Sequence, residues 1–407
     1  MPLAFLRLWW RGFRQPAYRS HWRERLGYVS GPVENSDVVW IHAVSVGEVR
    51  AAAPLVNALL QRDPGAALLI TTTTPTGRDT VAQLFSERVQ CCYLPWDLPF
   101  VVQRFLSSFN PQKLIVMETE LWPNLFHSVK QRGIPLYLVN ARLSDASLRG
   151  YRRVLPLARK TLSCVTSIAA QSEADVSRFI ALGAPEERVQ CAGNLKYEVE
   201  LPTDFDQRRS RLRQQFGQRT LWVAGSTHPG EDPIMLSAHA RLLQRYPDCL
   251  LLLVPRHPER AKEVAALCTQ SGMRVVLYSE LAELLSENTR VVVVDVLGEL
   301  VYLYGLAPLA FIGGSLVPHG GQNPIEALQA GCAVISGEHV ENFADSYREL
   351  ECAGAVSCIK AEADLVKVVD DLLGDAELRQ RQLVAAEQVL DGNRGALGRV
   401  LALTDLL

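Results

Sequence analysis

Short β-rich runs alternate with amphipathic stretches along almost the whole chain, and the series occurs twice. The first comprises "VVWIHAV" (38–44), "ALLITTTT" (67–74), "QCCYLP" (90–95), "KLIVME" (113–118), "IPLYLVNA" (134–141), "SIAAQ" (167–171) and "VQCAG" (189–193). After a polar, strandless stretch at 201–219 it restarts with "TLWVAGS" (220–226), "CLLLLVPR" (249–256), "VVLYS" (275–279), "RVVVVDV" (290–296), "LAFIGGS" (309–315), "CAVISG" (332–337) and "AVSCI" (355–359). Between the runs lie segments such as "EVRAAAPLVNALLQR", whose apolar residues recur at helical spacing. Continuous apolar strands separated by helices require parallel sheets covered on both faces. The expectation is therefore α/β: two doubly wound Rossmann-like domains, at 31–200 and 201–407, facing a central cleft. In such sheets ligands bind beyond the carboxyl ends of the strands, so functional residues belong just after strands.

Bulk properties exclude several classes. A chain of 407 residues, 48% of them hydrophobic, can form two ordinary cores. A net charge of -2 gives no electrostatic case for nucleic acid as a partner, so an anionic ligand must be met by a local cluster. The nine cysteines form no CxxC pair and fall mostly in apolar runs, which suggests neither a disulfide framework nor a zinc site and fits a reducing, cytosolic setting.

Residues 1–28 differ from the rest, carrying six arginines and one acid among Phe5, Trp9, Trp10, Phe13, Tyr18 and Trp22. Their apolar part is about half of the roughly 20 residues a membrane span needs. Arginines interleaved with aromatic rings suit a membrane surface, where rings sit at headgroup level and cations meet anionic lipid. Segment 1–30 is thus expected to associate with a membrane; the alternative is a basic helix packed on the body of the protein.

The first domain's post-strand positions offer carboxylates and one cation. "HAVSVGE" reads as a turn needing glycine, followed by Glu48 at a helix start; "METELWPN" carries Glu118 and Glu120; "GNLKYE" carries Lys196. This set suits proton removal from a hydroxyl, and no His or Asp joins the carboxylates at ligand spacing, so no metal is expected.

The second domain's post-strand loops, "AGSTHPGED" (224–232), "VPRHPER" (254–260), "DVLGEL" (295–300) and "GGSLVPHGGQNPIEAL" (313–328), are rich in glycine and hold the cation Arg256. Glycines let backbone amides approach phosphate, and arginine supplies a fixed cation. Neither GxxxxGK[ST] nor a GxGxxG after the first strand of either domain occurs, which disfavours ATP hydrolysis and dinucleotide redox. In "NPIEAL", proline at a first helical position followed by Glu326 places a carboxylate where ribose hydroxyls can donate to it while the helix start faces phosphate.

Each position also has a purely structural reading. A glutamate in a first helical turn complements the dipole, for about 0.3–1 kcal/mol, and this covers Glu48 and Glu326. Glu118 and Glu120 could pair with arginines, Lys196 could be a solvated cation, and His228, His257 and His319 could be polar loop residues.

The motif string "HAVSVGE", "TPTG", "LPWDLP", "METELWPN", "NARLS", "VPRHPER", "LYGLAPLAFIGGSLV" and "GGQNPIEA" resembles that of the 3-deoxy-D-manno-octulosonic acid (Kdo) transferases of Gram-negative bacteria. The resemblance runs from about Arg7 to the C-terminus. It implies a GT-B glycosyltransferase that moves Kdo from CMP-Kdo to the lipid A precursor lipid IVA, with inversion and without a metal or other cofactor, at the cytoplasmic face of the inner membrane. By motif, Glu48 is implied as the general base, and Glu118 and Lys196 as stabilisers of the transition state. The CMP contacts fall on Arg256, His257, Leu297, Gly298, Glu299, Asn323, Pro324, Ile325 and Glu326. The sequence departs from the family in two places. Only "MPLAFL" precedes "RLWWRG", where relatives carry a longer apolar segment, so the expectation is either a shortened start or reliance on surface binding alone; and Gln322 stands where some relatives have histidine. The alternatives are another GT-B sugar-nucleotide enzyme, a UDP-sugar transferase or epimerase, and a non-catalytic membrane-surface nucleotide-binding protein for which Glu48 would be dispensable.

Overall fold

The computed structural model describes residues 17, 20–29, 37–199, 201–281 and 285–406. It contains two seven-stranded, all-parallel sheets, each flanked by helices on both faces. The chain divides into two compact units, residues 1–198 with 393–407, and residues 199–392.

The first unit holds β1 (Val39–His42), β2 (Leu68–Thr72), β3 (Gln90–Tyr93), β4 (Lys113–Met117), β5 (Leu136–Ala141), β6 (Ser167–Ala170) and β7 (Val189–Cys191), in the order β3-β2-β1-β4-β5-β6-β7. Successive strand residues point to opposite faces, so Trp40, Leu114, Val116, Leu136 and Leu138 join one core with Phe105 and Phe126. Ile41, Ile115, Met117 and Val139 join the other, with Leu55 and Phe85. Because both faces are covered, the inner strands read as largely apolar runs, whereas the edge strands β3 and β7 expose Gln90 and Gln190. From β1 the chain runs outward through β2 and β3, then returns to place β4 on β1's other side, so the topological switch point lies between β1 and β4.

The second unit holds β8 (Leu221–Thr227), β9 (Leu250–Pro255), β10 (Val275–Leu277), β11 (Val291–Val293), β12 (Leu309–Ile312), β13 (Ala333–Ser336) and β14 (Val356–Cys358). Their order is β10-β11-β9-β8-β12-β13-β14, which puts the switch point between β8 and β12. Its two cores again divide by alternation, Val223, Leu252 and Ile312 on one face and Trp222, Leu253 and Phe311 on the other.

One segment departs from the linear division expected at residue 200. The last helix, Ala396–Leu403, buries Ala396 and Val400 in the first unit's core, beside Leu195 and Leu55. Polar contacts hold it there: Arg399 Nε donates to Ala192 O at 2.9 Å, and Lys113 Nζ donates to Thr404 O at 2.9 Å. A helix with apolar residues on one stripe gives no sequence signal of which sheet it will cover.

Of the basic, aromatic N-terminal segment, residues 1–16, 18, 19 and 30 lie outside the described residues. The described part packs on the first unit. Arg25 is buried with its guanidinium 3.9 Å from the Tyr93 ring centroid and donates to Thr73 O at 2.9 Å, while Trp22 meets Trp96 edge-on at 5.7 Å. Here the packed-helix alternative describes Trp22 and Arg25. Among the described residues no helix is long and apolar enough to cross a membrane.

Candidate functional site

The carboxyl ends of β1 and β4 gather the first unit's candidate residues. Ser45 is the N-cap of helix Val46–Arg62, but its hydroxyl caps no backbone amide. Instead Glu48, 8% exposed, turns back: Oε2 accepts from Val44 N at 2.8 Å and Oε1 from Ser45 Oγ at 3.3 Å. The expected glycine turn is absent, because Gly47 already lies inside the helix. A Cβ on it would meet only Ser45 Oγ, at 3.9 Å. The backbone therefore does not require this glycine, and what it leaves is open space next to Ser45, the residue whose hydroxyl donates to Glu48.

Glu118, one residue past β4, adopts a left-handed φ of 54°, uncommon for a residue with a side chain and costly enough to need support from its surroundings. That support is visible: its N–H donates to Val139 O at 2.9 Å, Lys196 Nζ lies 3.3 Å from Oε1, and Arg142 Nε lies 3.7 Å from Oε2. Lys196 reaches it from a 3-10 turn, Leu195–Tyr197, after β7. The turn is fixed by Asn194, whose Oδ1 accepts Lys196 N at 3.0 Å, and by Asn140, whose Oδ1 accepts Leu195 N at 2.9 Å. So Lys196 is not a free surface cation.

Burial, with the neighbouring charges of Glu118 and Glu120, pushes the Glu48 carboxyl up to about 8. Burial and Glu118 push Glu120 up to about 7. Glu48 and Glu120 thus both stand well above the ordinary carboxylate range, as expected of acids gathered in a functional site. Behind them His42, fully buried at the end of β1, is held neutral by desolvation, its pKa lowered to about 4. Nδ1 lies 2.9 Å from Thr71 Oγ1, and the ring meets Trp122 edge-on at 6.5 Å. Nothing in the sequence singled out His42, which looks like any polar residue in a strand.

In the second unit the loops after β8 and β12 are bound to one another by Glu231, a residue that nothing in the sequence singles out. It is fully buried and accepts four backbone N–H groups: His228 (2.9 Å), Gly314 (2.8 Å), Ser315 (3.0 Å) and Leu316 (3.0 Å). A second buried carboxylate, Asp232, pairs with Arg260 at 2.5 Å and accepts from Thr227 Oγ1 at 2.6 Å. Gly313 is required by space, since a Cβ would stand 2.3 Å from Ser226 O.

These loops present Arg256 and His257, both exposed, and bring Arg256's charge to bear on Glu326. Burial raises the Glu326 carboxyl and Arg256 opposes that rise. Pro324 is the N-cap of a helix only five residues long, Ile325–Gln329, rather than its first residue, and Asn323 Oδ1 accepts Ile325 N at 3.1 Å. So short a helix carries little dipole. Leu297, 77% exposed, and Gly298, at a φ of 85°, form an open loop. Glu299 is engaged by Arg208 (2.5 Å) and by Tyr278 Oη (2.8 Å). Among the described residues no group of three or more His, Cys, Asp or Glu side chains is arranged to hold a metal.

Comparison with known proteins identifies the family. The family profile described as 3-deoxy-D-manno-octulosonic-acid transferase (kdotransferase) matches residues 20–199. The 3-deoxy-D-manno-octulosonic acid transferase of Haemophilus influenzae is 42% identical over 96% of this chain and 92% of its own length. That of Bordetella pertussis is 36% identical over 91% of this chain and 87% of its own. Among solved structures, the UDP-GlcNAc 2-epimerase of Neisseria meningitidis superposes with a TM-score of 0.54 over 90% of this chain and 99% of its own; at 14% identity the likeness is one of fold. The pair of doubly wound domains is the GT-B fold.

Proposed function

Because this chain belongs to the 3-deoxy-D-manno-octulosonic acid (Kdo) transferases, a family of glycosyltransferases, we propose that it transfers Kdo from CMP-Kdo to the lipid A precursor lipid IVA, inverting the anomeric carbon. The observation that carries this reading is the group of Glu48, Glu118, Glu120 and Lys196 at the switch point of the first domain, with one carboxyl held near 8.

A sugar hydroxyl is a poor nucleophile at neutral pH, and a base within hydrogen-bond reach typically contributes 10²- to 10⁴-fold. Glu48 is that base. In its ionised form it takes the proton as the hydroxyl oxygen bonds to the anomeric carbon, and burial makes the carboxylate a stronger base than an exposed one. The space left by Gly47 admits the acceptor beside it. On the opposite face of the sugar the bond to the phosphate oxygen breaks, and its electron pair leaves with CMP. Attack opposite the leaving group gives inversion.

Charge develops at two places. The anomeric carbon gains cationic character, which Glu118 offsets, while Lys196 meets the carboxylate of Kdo and is itself oriented by Glu118. The departing phosphate gains negative charge, met by Arg256, with Glu326 accepting from the ribose. His257, Leu297, Gly298, Glu299, Asn323, Pro324 and Ile325 complete the proposed CMP contacts, and no step needs a metal. The arginines and aromatic residues of the N-terminal segment other than the packed Trp22 and Arg25 are proposed to hold the enzyme on the cytoplasmic face of the inner membrane, where a lipid acceptor is found.

Mass spectrometry of lipid IVA incubated with the enzyme and CMP-Kdo tests the reading, with a mass increase of one or more Kdo units expected. No product with CMP-Kdo, or an equal yield with a UDP-sugar, would overturn it.

A further inference from the structure

Three histidines that arrive from three different loops meet in the second domain. His228 follows β8, His257 follows β9 and His319 follows β12. The rings of His228 and His319 stack with centroids 4.3 Å apart and planes 19° from parallel, and His257 stands edge-on to His228 at 6.2 Å. Gln322 Nε2 lies 3.4 Å from His228 Nε2. Gly314 makes room for the stack, since a Cβ there would lie 3.2 Å from the His228 ring.

The surroundings are cationic. Arg256 and Arg260 both act on His228, and the carboxylates close by are committed elsewhere. Glu231 is filled by its four backbone amides, Asp232 by Arg260 and Thr227, and Glu326 faces Arg256. Among the described residues, none of His228, His257, His319 and Arg256 is ion-paired with a carboxylate. Burial and these like charges hold the His228 imidazole neutral, with its pKa lowered to about 4.

Gathering three imidazoles beside Arg256 at the carboxyl end of a parallel sheet, with no carboxylate paired to them, is unfavourable by itself and becomes favourable once an anion arrives. The anion must carry more charge than Arg256 alone can balance. A nucleotide that leaves as a phosphate monoester changes from one negative charge to about two. The geometry points to the stacked pair His228 and His319 as the seat of the nucleotide's phosphate, one imidazole taking up a proton when the dianion binds and returning it to solvent on release.

This inference rests on the reading of the second domain as the CMP site. It goes further in assigning two residues and a proton to the leaving group. The sign follows from linkage. An imidazole neutral in the free protein and protonated in the complex means the complex holds more protons, so affinity for the dianion strengthens as pH falls toward neutrality.

The test is calorimetry with CMP on the whole protein at pH 7.5, where CMP is mainly dianionic, run in HEPES and in Tris, whose ionisation enthalpies differ. The expected result is uptake of about half to one proton per CMP. In His228→Asn and in His319→Asn the uptake should fall to near zero, with affinity about ten-fold weaker. Cytidine, which lacks the phosphate, should bind all three proteins equally without proton uptake, and that equality distinguishes a lost phosphate contact from a damaged loop. Tight CMP binding without proton uptake, or uptake unchanged in both variants, overturns the inference and leaves the donor reading standing. Cytidine binding lost together with CMP binding in the variants assigns the pair a structural role and overturns it too. If CMP does not bind the unaltered protein at all, both readings fall.

Discussion

Lys196 Nζ lies 3.3 Å from Glu118 Oε1, although 78 residues separate the two in sequence. Neither group is more than 18% exposed at its side chain, so each holds the other in place more firmly than a surface ion pair would. Lys196→Met should lower kcat by about 10²-fold or more and leave CMP affinity unchanged. Single-turnover transfer assays with calorimetry in parallel check this, and a change confined to KM would remove the transition-state role.

The Glu48 carboxyl, raised to about 8, makes a prediction with a definite sign. A base must be ionised to act, so kcat/KM should rise with pH and level off above about 8. Glu120→Gln removes one of the like charges responsible and should move that limb toward acid by roughly half a unit to one unit. Glu48→Gln should abolish the limb and lower kcat by about 10²- to 10⁴-fold while CMP still binds. Stability should follow the same carboxyl: it binds a proton up to about 8 when folded but only to about 4.5 when free, so its contribution is full below 4.5 and lost as pH rises to 8. Thermal melts of the Glu48→Gln protein should accordingly depend less on pH across that window.

Gly47 separates a structural from a functional demand. Its backbone is ordinary helix and a methyl group would meet nothing closer than 3.9 Å, so Gly47→Ala should keep or raise thermal stability, by up to about 1 kcal/mol. Larger side chains at this position, Gly47→Val for example, should weaken acceptor use while CMP affinity stays intact. Transfer rates measured against lipid IVA concentration would reveal this as a raised KM; an unchanged KM would mean that the acceptor does not pass beside Glu48.

Glu231 has four amide donors and no access to water. Glu231→Gln removes the charge and one accepting oxygen, leaving buried N–H groups unmatched. A loss of about 2–4 kcal/mol is expected, with CMP binding weakened because the loops after β8 and β12 are no longer held together. Chemical denaturation and calorimetry would measure the two effects, and Asp232, with its own partner Arg260, offers an internal comparison.

Much of this was legible in the chain itself, and the reasons differ from place to place. Thirteen of the fourteen strands lie within the runs marked by apolar composition, and β8 overruns its run only by Thr227, because parallel strands covered on both faces are predominantly apolar. Glu48, Glu118 and Lys196 stood out because they follow strands. Glu231 did not, because a buried glutamate in "HPGED" looks like an exposed one until the amides that surround it are known. His42 was equally silent, and Gly47 was misread: glycine before a helix usually signals a turn, yet here the backbone continues as regular helix and the missing side chain is what counts.

By itself, the sequence determined the two domains, their class and the family, since periodicity and local motifs follow from contacts made within one strand, turn or helix. Tertiary structure decided which distant groups meet: that Glu118 is held by Lys196, that the last helix returns to the first unit's core, and that three histidines from three loops share one cationic corner. The physical reason is that charge and burial are collective. A carboxyl stays near 4.5 or rises to about 8 according to neighbours that no local stretch of sequence contains.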